Sequence, residues 1–205
     1  MSLPVSYCNQ ALLLIGSGAI NSFDDGTDLA TICATLYPTV RDQLLVQYPW
    51  NFTLTKARLV QLTATPLAGW RYAYALPADL LNLRALFDTP ALNAAPTTDW
   101  QLFDGRAFTN HQALYADYQR DAPEEAFPPH FLPVLKYALA AEFAVPVTEQ
   151  ATVAELYARR AFGTPQEAGN GGQMRIARTL DAQQKPAQVF TDFQLHDARF
   201  GTHRA

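Results

Sequence analysis

The chain has 205 residues, 49% of them apolar, with 15 Lys and Arg against 19 Asp and Glu for a formal net charge of −4. That is apolar material for one domain with an ordinary core, and too few cations for a protein that grips nucleic acid through its phosphates. No apolar run reaches the roughly 18 residues that span a bilayer, and "MSLPVSYCNQALLLIGSG" has no basic segment ahead of its short apolar run, so no signal peptide is read.

The charge is uneven along the chain: −3 over residues 1–50, +1 over 51–100, −4 over 101–150 and +2 over 151–205. A weakly acidic surface of this kind lets DNA pass without sticking.

Residues 3–16 read as a short helix with Leu12, Leu13 and Ile15 on its apolar side. "GSGAINSFDDGTD" supplies loop chemistry, and Asp28 is placed to cap the next helix. Leu29, Ile32, Leu36, Val40 and Leu44 then recur at three- and four-residue steps, a helical stripe. Pro38 lies inside the stripe, where a kink or short break is expected, and Pro49 ends it. Cys8 and Cys33 both fall in these helical stretches; reduced core thiols are expected, with a disulfide between them left open.

After Pro49 the period changes to two. Phe52, Leu54, Ala57 and Leu59 suggest a strand with an irregularity. "GWRYAYALP" and "LNLRALFD" are further strands, and "WQLFDGRAFTN" is a hairpin closed by Asp104-Gly105, a pair that tolerates positive φ. "ALYADYQRD" continues the sheet, making about five short antiparallel strands between residues 51 and 121.

Helical spacing returns with Phe131, Leu135, Leu139 and Phe143. "PVT" is expected to break this helix and Thr148 to cap the next, whose apolar face is Val153, Leu156, Tyr157 and Ala161. "GTPQEAGNGG" reads as a loop or a frayed stretch, after which Met174, Ile176 and Leu180 resume a helix.

The expected fold class is α+β: a helical layer from residues 1–49 and 128–182, a small antiparallel β-insertion over 50–121, and one domain spanning 1–182. Residues 183–205 are expected to form an extended arm. The arm lacks a helical stripe yet carries Val189, Phe190, Phe193, Leu195 and Phe200. Stretched out it would reach about 75 Å.

Catalytic signatures are absent at the level of spacing. "IGSGAIN" has two of the three glycines of a dinucleotide loop but follows a helix rather than a strand, so a helix C-terminus plus loop is the better reading. "DDGTD" lacks the spacing and terminal Glu of a calcium loop. The four histidines stand at no metal-binding spacing and read as surface residues. Glu124 and Glu125 read as a solvated turn. Trp50, Phe52, Trp70, Tyr72, Tyr74 and Trp100 could stack on bases or sugars, but half of them alternate along strands as core residues do. No cofactor and no metal is expected.

The order of features then becomes informative. Arg41-Asp42, Tyr48-Pro49-Trp50-Asn51-Phe52, the run Tyr74 to Pro77 with Asp79, the "W…DGRAFTN" hairpin, "LYADY" and "ALAAEFAVPVT" together resemble the tail tubular protein A family of short-tailed phages, the head-to-tail adaptors, over roughly residues 7–162. The Gly-rich stretch 163–172 departs from the long last helix of that pattern.

The resemblance implies a structural virion protein and not an enzyme. Such a protein forms a ring of about a dozen copies that joins the portal to the tail nozzle. The ring continues the channel through which double-stranded DNA leaves, without binding it specifically, and no membrane is involved. The helices are expected toward the portal and the β-rich part toward the tail.

Two sites follow. Pro49, Trp50 and Phe52 are expected to form the hinge at which the helical layer hands the chain to the sheet. Phe190, Phe193, Leu195, Arg199 and Phe200 are expected to anchor the arm on the portal, with docking on its own or a neighbouring subunit as the other outcome. The rival readings are another neck connector, a stopper or tail-completion protein, and an aromatic-lined nucleic-acid or sugar-binding module.

Overall fold

A computed structural model describes residues 2–64, 66, 69–91 and 94–184. The first helix, α1 (Leu3–Leu14), starts with Pro at its second position, where a missing N–H costs nothing. It ends in a Schellman motif: Ser17 N–H donates to the Leu12 carbonyl and Gly16 N–H to that of Leu13, with Gly16 at φ +78°. The glycines of "IGSG" therefore close a helix. Its buried face is Val5, Tyr7, Cys8, Ala11 and Leu12, whereas Leu13, expected in the stripe, is 66% exposed. The loop that follows is pinned by buried Asn9, whose amide exchanges two hydrogen bonds with the Ile20 backbone at 2.8 and 2.9 Å.

Helix α2 (Asp28–Gln47) is capped by Thr27 and not by Asp28: the Thr27 hydroxyl accepts from Ala30 N–H, and Asp28 occupies the first helical turn, where its charge suits the helix dipole. The helix runs unbroken through Pro38. An interior proline costs roughly 3 kcal/mol, and burial of Cys33, Tyr37, Val40, Leu44 and Leu45 along the same helix offsets it. Cys8 and Cys33 are buried free thiols. A hydrogen bond with Cys33, and then burial, pushes the Cys8 thiol up.

Among the described residues seven strands, rather than five, follow a 3-10 turn at Asn51–Thr53: β1 (Leu54–Arg58), β2 (Val60–Gln61), β3 (Tyr72–Ala75), β4 (Leu80–Phe87), β5 (Trp100–Phe103), β6 (Arg106–Thr109) and β7 (Tyr115–Arg120). They form two antiparallel sheets instead of one, in the orders β1-β7-β4 and β2-β3-β6-β5. The irregularity after Ala57 is where the chain changes sheets. Leu59 is buried there, and its N–H donates to the Leu114 carbonyl at 2.8 Å.

β7 consequently does not extend the hairpin's sheet. It is the centre of the other one, pairing Leu54 with Gln119 on one side and Leu80 with Arg120 on the other. The hairpin β5–β6 is closed by Asp104 and Gly105, at φ 52° and 66°, the two positive values a two-residue turn of this hand needs. Leu59, Tyr74, Leu86, Ala107, Leu114, Ala116 and Tyr118, drawn from both sheets and their connections, make one small core.

Helix α3 (Leu132–Thr148) is the hub of the larger, helical core, burying Val134, Leu135, Ala138, Leu139, Ala140, Phe143 and Ala144. It passes through Pro146 without a break. Thr148 is its last residue and bonds back to the Ala144 carbonyl, so it does not cap the next helix. Glu149, at φ 58°, makes the turn. Helix α4 (Ala151–Phe162) buries Tyr157 and Ala161 and leaves Leu156 exposed. The four-residue step from Val153 sets that face, and Leu156 is one position off it. The Tyr157 hydroxyl donates to the Leu14 carbonyl at the end of α1, at 2.6 Å.

The Gly-rich segment is an ordered loop leading to helix α5 (Gly172–Ala182). Glu167 folds back to accept from Thr164 N–H and hydroxyl at 2.8 and 3.1 Å. Those two bonds, chiefly the backbone one, hold its carboxyl below the usual range. A side chain at Gly163 or Gly171 would collide with that carboxylate. The buried face of α5 is Met174, Ala177 and Asp181; Ile176 and Leu180 point outward.

Gly172 sits at φ +52° with the space of its missing Cβ 2.5 Å from the Arg160 carbonyl oxygen, while Gly26, at φ +68°, has nothing within 4 Å. Left-handed backbone alone costs a side-chain residue roughly 1–2 kcal/mol. Gly26→Ala should lose about that much in urea unfolding, and Gly172→Ala at least ~2 kcal/mol more through the added clash. Equal losses would mean that the α4–α5 joint yields freely.

Candidate functional site at the helix–sheet corner

Helix α2 ends at Gln47 and β1 begins at Leu54, so Pro49, Trp50 and Phe52 lie in the corner between helix and sheet. Trp50 is fully buried and Phe52 partly so. Phe52 belongs to the 3-10 turn and not to a strand. Trp50 meets Tyr48 and Phe131 edge-on, at centroid distances of 4.8 and 5.2 Å, and Phe52 packs on Phe127 and Phe131 at 5.7 and 5.3 Å. These are favourable offset and T-shaped geometries.

The corner also solves a hydrogen-bonding problem. The last four carbonyls of a helix have no partner within it. At the end of α2, the Trp50 indole N–H donates to the Leu44 carbonyl at 2.8 Å, and Arg178, from α5, donates to that of Gln47 at 3.1 Å. The fully buried Gln119 amide of β7 donates to the carbonyls of Leu45 and, at 2.8 Å, of Tyr48. The Arg178 guanidinium also lies over the Tyr48 ring, 4.9 Å from its centroid. One helix end is thus closed by side chains from the corner, from the sheet and from the last helix.

A second polar knot joins the corner to α5. The Asp181 carboxylate, 1% exposed, accepts from Asn51 N–H at 3.1 and 3.2 Å, and the Asn51 side-chain amide donates to the Asp181 carbonyl at 2.5 Å. His130 Nε2 stands 3.5 Å from Asp181 Oδ1, with its side chain only 9% exposed. His130 is therefore not a surface histidine: the chain before α3 folds it under Trp50, 6.4 Å between rings.

On the other side of α2, Arg41 gathers Asp42 at 2.6 Å, Asp121, Glu124 at 3.3 Å and the Ala122 carbonyl at 3.0 Å. Burial alone would lower its guanidinium; Asp121, then Glu124 and Asp42, outweigh burial and hold it above its ordinary value. The Tyr37 hydroxyl donates to Glu124 at 3.3 Å, and burial followed by that carboxylate pushes the phenol up. Glu124 is thus engaged rather than merely solvated.

Asp79 completes the corner's sheet side, accepting from the Tyr118 hydroxyl at 3.1 Å through its carboxylate and from Asp121 N–H at 2.7 Å through its carbonyl. The remaining aromatics do not make one surface. Tyr72, Tyr74 and Trp100 belong to the sheet core, apart from Trp50 and Phe52.

His111 lies near Asp88 and Asp99, with Thr97 Oγ1 at 3.1 Å. Among the described residues no group of three or more His, Cys, Asp or Glu is placed to hold a metal ion, and no helix is long and apolar enough to cross a membrane. Phe190, Phe193, Leu195, Arg199 and Phe200, with the arm from residue 185 onward, lie outside the described residues.

Sequence reasoning missed Asp181, His130, Gln119 and Arg178. For Asp181 a signal existed: it continues the Met174, Ala177 spacing, so an acid stood on the buried stripe of its helix. No protein-family model matches this chain, and no curated protein matches its sequence.

Truncating Trp50 to Ala should cost about 3–5 kcal/mol in urea unfolding. Trp50→Phe, which keeps the ring but strands the Leu44 carbonyl, should cost about 1–3 kcal/mol. Asp181→Ala leaves Asn51 N–H unpaired and should likewise cost about 1–3 kcal/mol, with Asn51→Ala adding less than its own separate loss because the two share one knot. Full additivity of that pair would separate α5 from the corner energetically.

Proposed function

We propose that this chain is a structural connector of a short-tailed phage virion, a head-to-tail adaptor that assembles as a ring of about a dozen copies between portal and tail nozzle and does no catalysis. The observation that carries the reading is convergence. Arg41, Asp42, Trp50, Asn51 and Asp79 are spread over 39 residues of sequence and are among those that carry the resemblance; all five make contacts around one corner, Arg41 tying α2 to Asp121 just past β7 with Asp42 beside it, Trp50 closing the end of α2, Asn51 holding α5, and Asp79 bonding Tyr118 in the sheet. A motif set used in this way describes a scaffold whose two layers must hold a fixed angle, which is what a ring subunit requires.

Two further features support it. Exposed apolar side chains occur in both the helical and the β parts: Leu13, Val46 and Val145 on helices, Val60, Leu102 and Phe103 on strands. The weakly acidic composition suits a channel wall that repels phosphate. In this reading the helical layer faces the portal, the sheets face the nozzle, and DNA passes through the lumen unbound. Phe190, Phe193, Leu195, Arg199 and Phe200 anchor the arm on the portal, where its ordering entropy is spent at assembly.

Native mass spectrometry of the purified protein, alone and mixed with the portal ring of its own virus, tests this. The expected result is a small species alone and about a dozen copies on the portal, with deletion of 187–205 abolishing portal binding while leaving the circular dichroism unchanged. A protein that stays monomeric and ignores the portal overturns the reading.

A further inference from the structure

An apolar groove of about 530 Å³ runs between the start of α3 and the outer face of α5. Pro129 and Pro133 form one wall, Ile176 and Leu180 the other, with Gln173 at one end and Gln184 at the opposite end. Ile176 and Leu180 are 50% and 43% exposed, although α5 is otherwise well fastened at Asp181 and Arg178. Gln184 is also where the described chain ends and the arm begins.

We propose that in the free subunit this groove holds the chain's own arm, with Phe190 and Phe193 seated against Ile176 and Leu180.

Length and composition both favour that occupant. From Gln173 to the helix end at Ala182 the groove follows nine residue steps of helix, about 14 Å at 1.5 Å per residue, with Gln184 in the turn beyond. The six residues from Lys185 to Phe190 reach about 20 Å when extended, enough to turn back and lay the next residues along the groove. Pro186 disfavours helical backbone at Lys185, so the helix is not continued away from the groove. The segment that would lie in it, "VFTDFQL", sets Phe190 and Phe193 three residues apart, which puts both on one face of an extended backbone with three residues per turn.

Charge agrees. Asp192 stands between the two phenylalanines, and Arg175, with its side chain 70% exposed and only a 3.8 Å pairing to Glu167, stands one position before Ile176. Attachment at Gln184 also gives the arm an effective concentration on the order of millimolar, so even weak side-chain contacts suffice. The arm would then leave the groove only for a better site. The resting state and the assembled state would compete for the same side chains.

The inference concerns the isolated subunit and stands apart from the ring reading: no portal enters its test. Chymotrypsin cuts after Phe190, Phe193 and Leu195, so limited digestion of the full chain reports their shelter. Ile176→Asp with Leu180→Asp, both at exposed positions and with native folding verified by circular dichroism, should speed cleavage at these sites roughly tenfold, the factor that millimolar tethering gives over a sub-millimolar intrinsic affinity. Leu156→Asp, on α4 outside the groove, should leave the rate at the wild-type value. Equal rates in wild type and groove variant overturn the proposal.

Wild-type protection should persist on hundredfold dilution. Loss on dilution would assign the groove to another copy's arm and overturn the own-chain assignment. As a second readout, Phe190→Ser with Phe193→Ser alters no described residue and should accelerate hydrogen exchange across residues 173–184; unchanged exchange there also counts against the proposal.

Discussion

The closure of one helix end organises this protein. Helix α2 stops at Gln47, two residues before Pro49, with the carbonyls of Leu44 and Leu45 in the interior, where unpaired backbone oxygens are costly. Their donors come from three places far apart in sequence: Trp50 in the corner, Gln119 in the central strand of one sheet, and Arg178 in the last helix. Each donor can reach only if its own element is docked. The hydrogen-bond requirement at one point therefore couples the positions of helix, sheet and C-terminal helix more tightly than apolar burial, which tolerates sliding.

The Asn51–Asp181 knot extends that coupling to the place where the arm begins. An acid on the buried stripe of α5 is an expensive choice unless it is paired, and it is paired with the backbone of the corner itself. Its partner group includes His130, from the segment that leads into α3 and lines the groove beside Asp181's own helix. Corner, groove and arm root are thus one connected region. A change in the angle between helical layer and sheets would be felt three residues before the arm leaves the folded core.

Local chemistry was legible and long-range assignment was not. The stop at Pro49, the Asp104-Gly105 turn and the Phe131, Leu135, Leu139, Phe143 stripe all follow from residues within a few positions of one another. Sheet membership does not. β7 looks like the next strand after the hairpin, yet it pairs with β1, whose partner residues lie about 60 positions earlier. Nothing in "LYADY" marks that choice; the buried Gln119 directly after it does, but its value depends on the end of a helix more than 70 positions away. Pro38 and Pro146 misled for the opposite reason: burial on a well-packed helix outweighed the local penalty. The Gly-rich segment suggested a loop or a frayed stretch; it is a loop, and Gly163 and Gly171 leave the room into which the Glu167 carboxylate folds.

On the proposed ring reading, the geometry of assembly would give such a corner its purpose. A heterologous interface closes into a ring only when the rotation from one copy to the next divides the circle. For about a dozen copies that rotation is about 30°, and any error in it accumulates around the ring. A subunit whose helical and β layers moved freely would present its two contact surfaces at variable angles and would give open or mixed assemblies. Fastening α2 to the sheet through Arg41 and Gln119 and to α5 through Arg178, with Trp50 closing the helix end and Asp181 holding the corner, would remove that freedom before any proposed assembly. On the proposed docking of the arm, a body fastened in this way would wait as a free subunit and commit only when the arm met a better partner than its own groove.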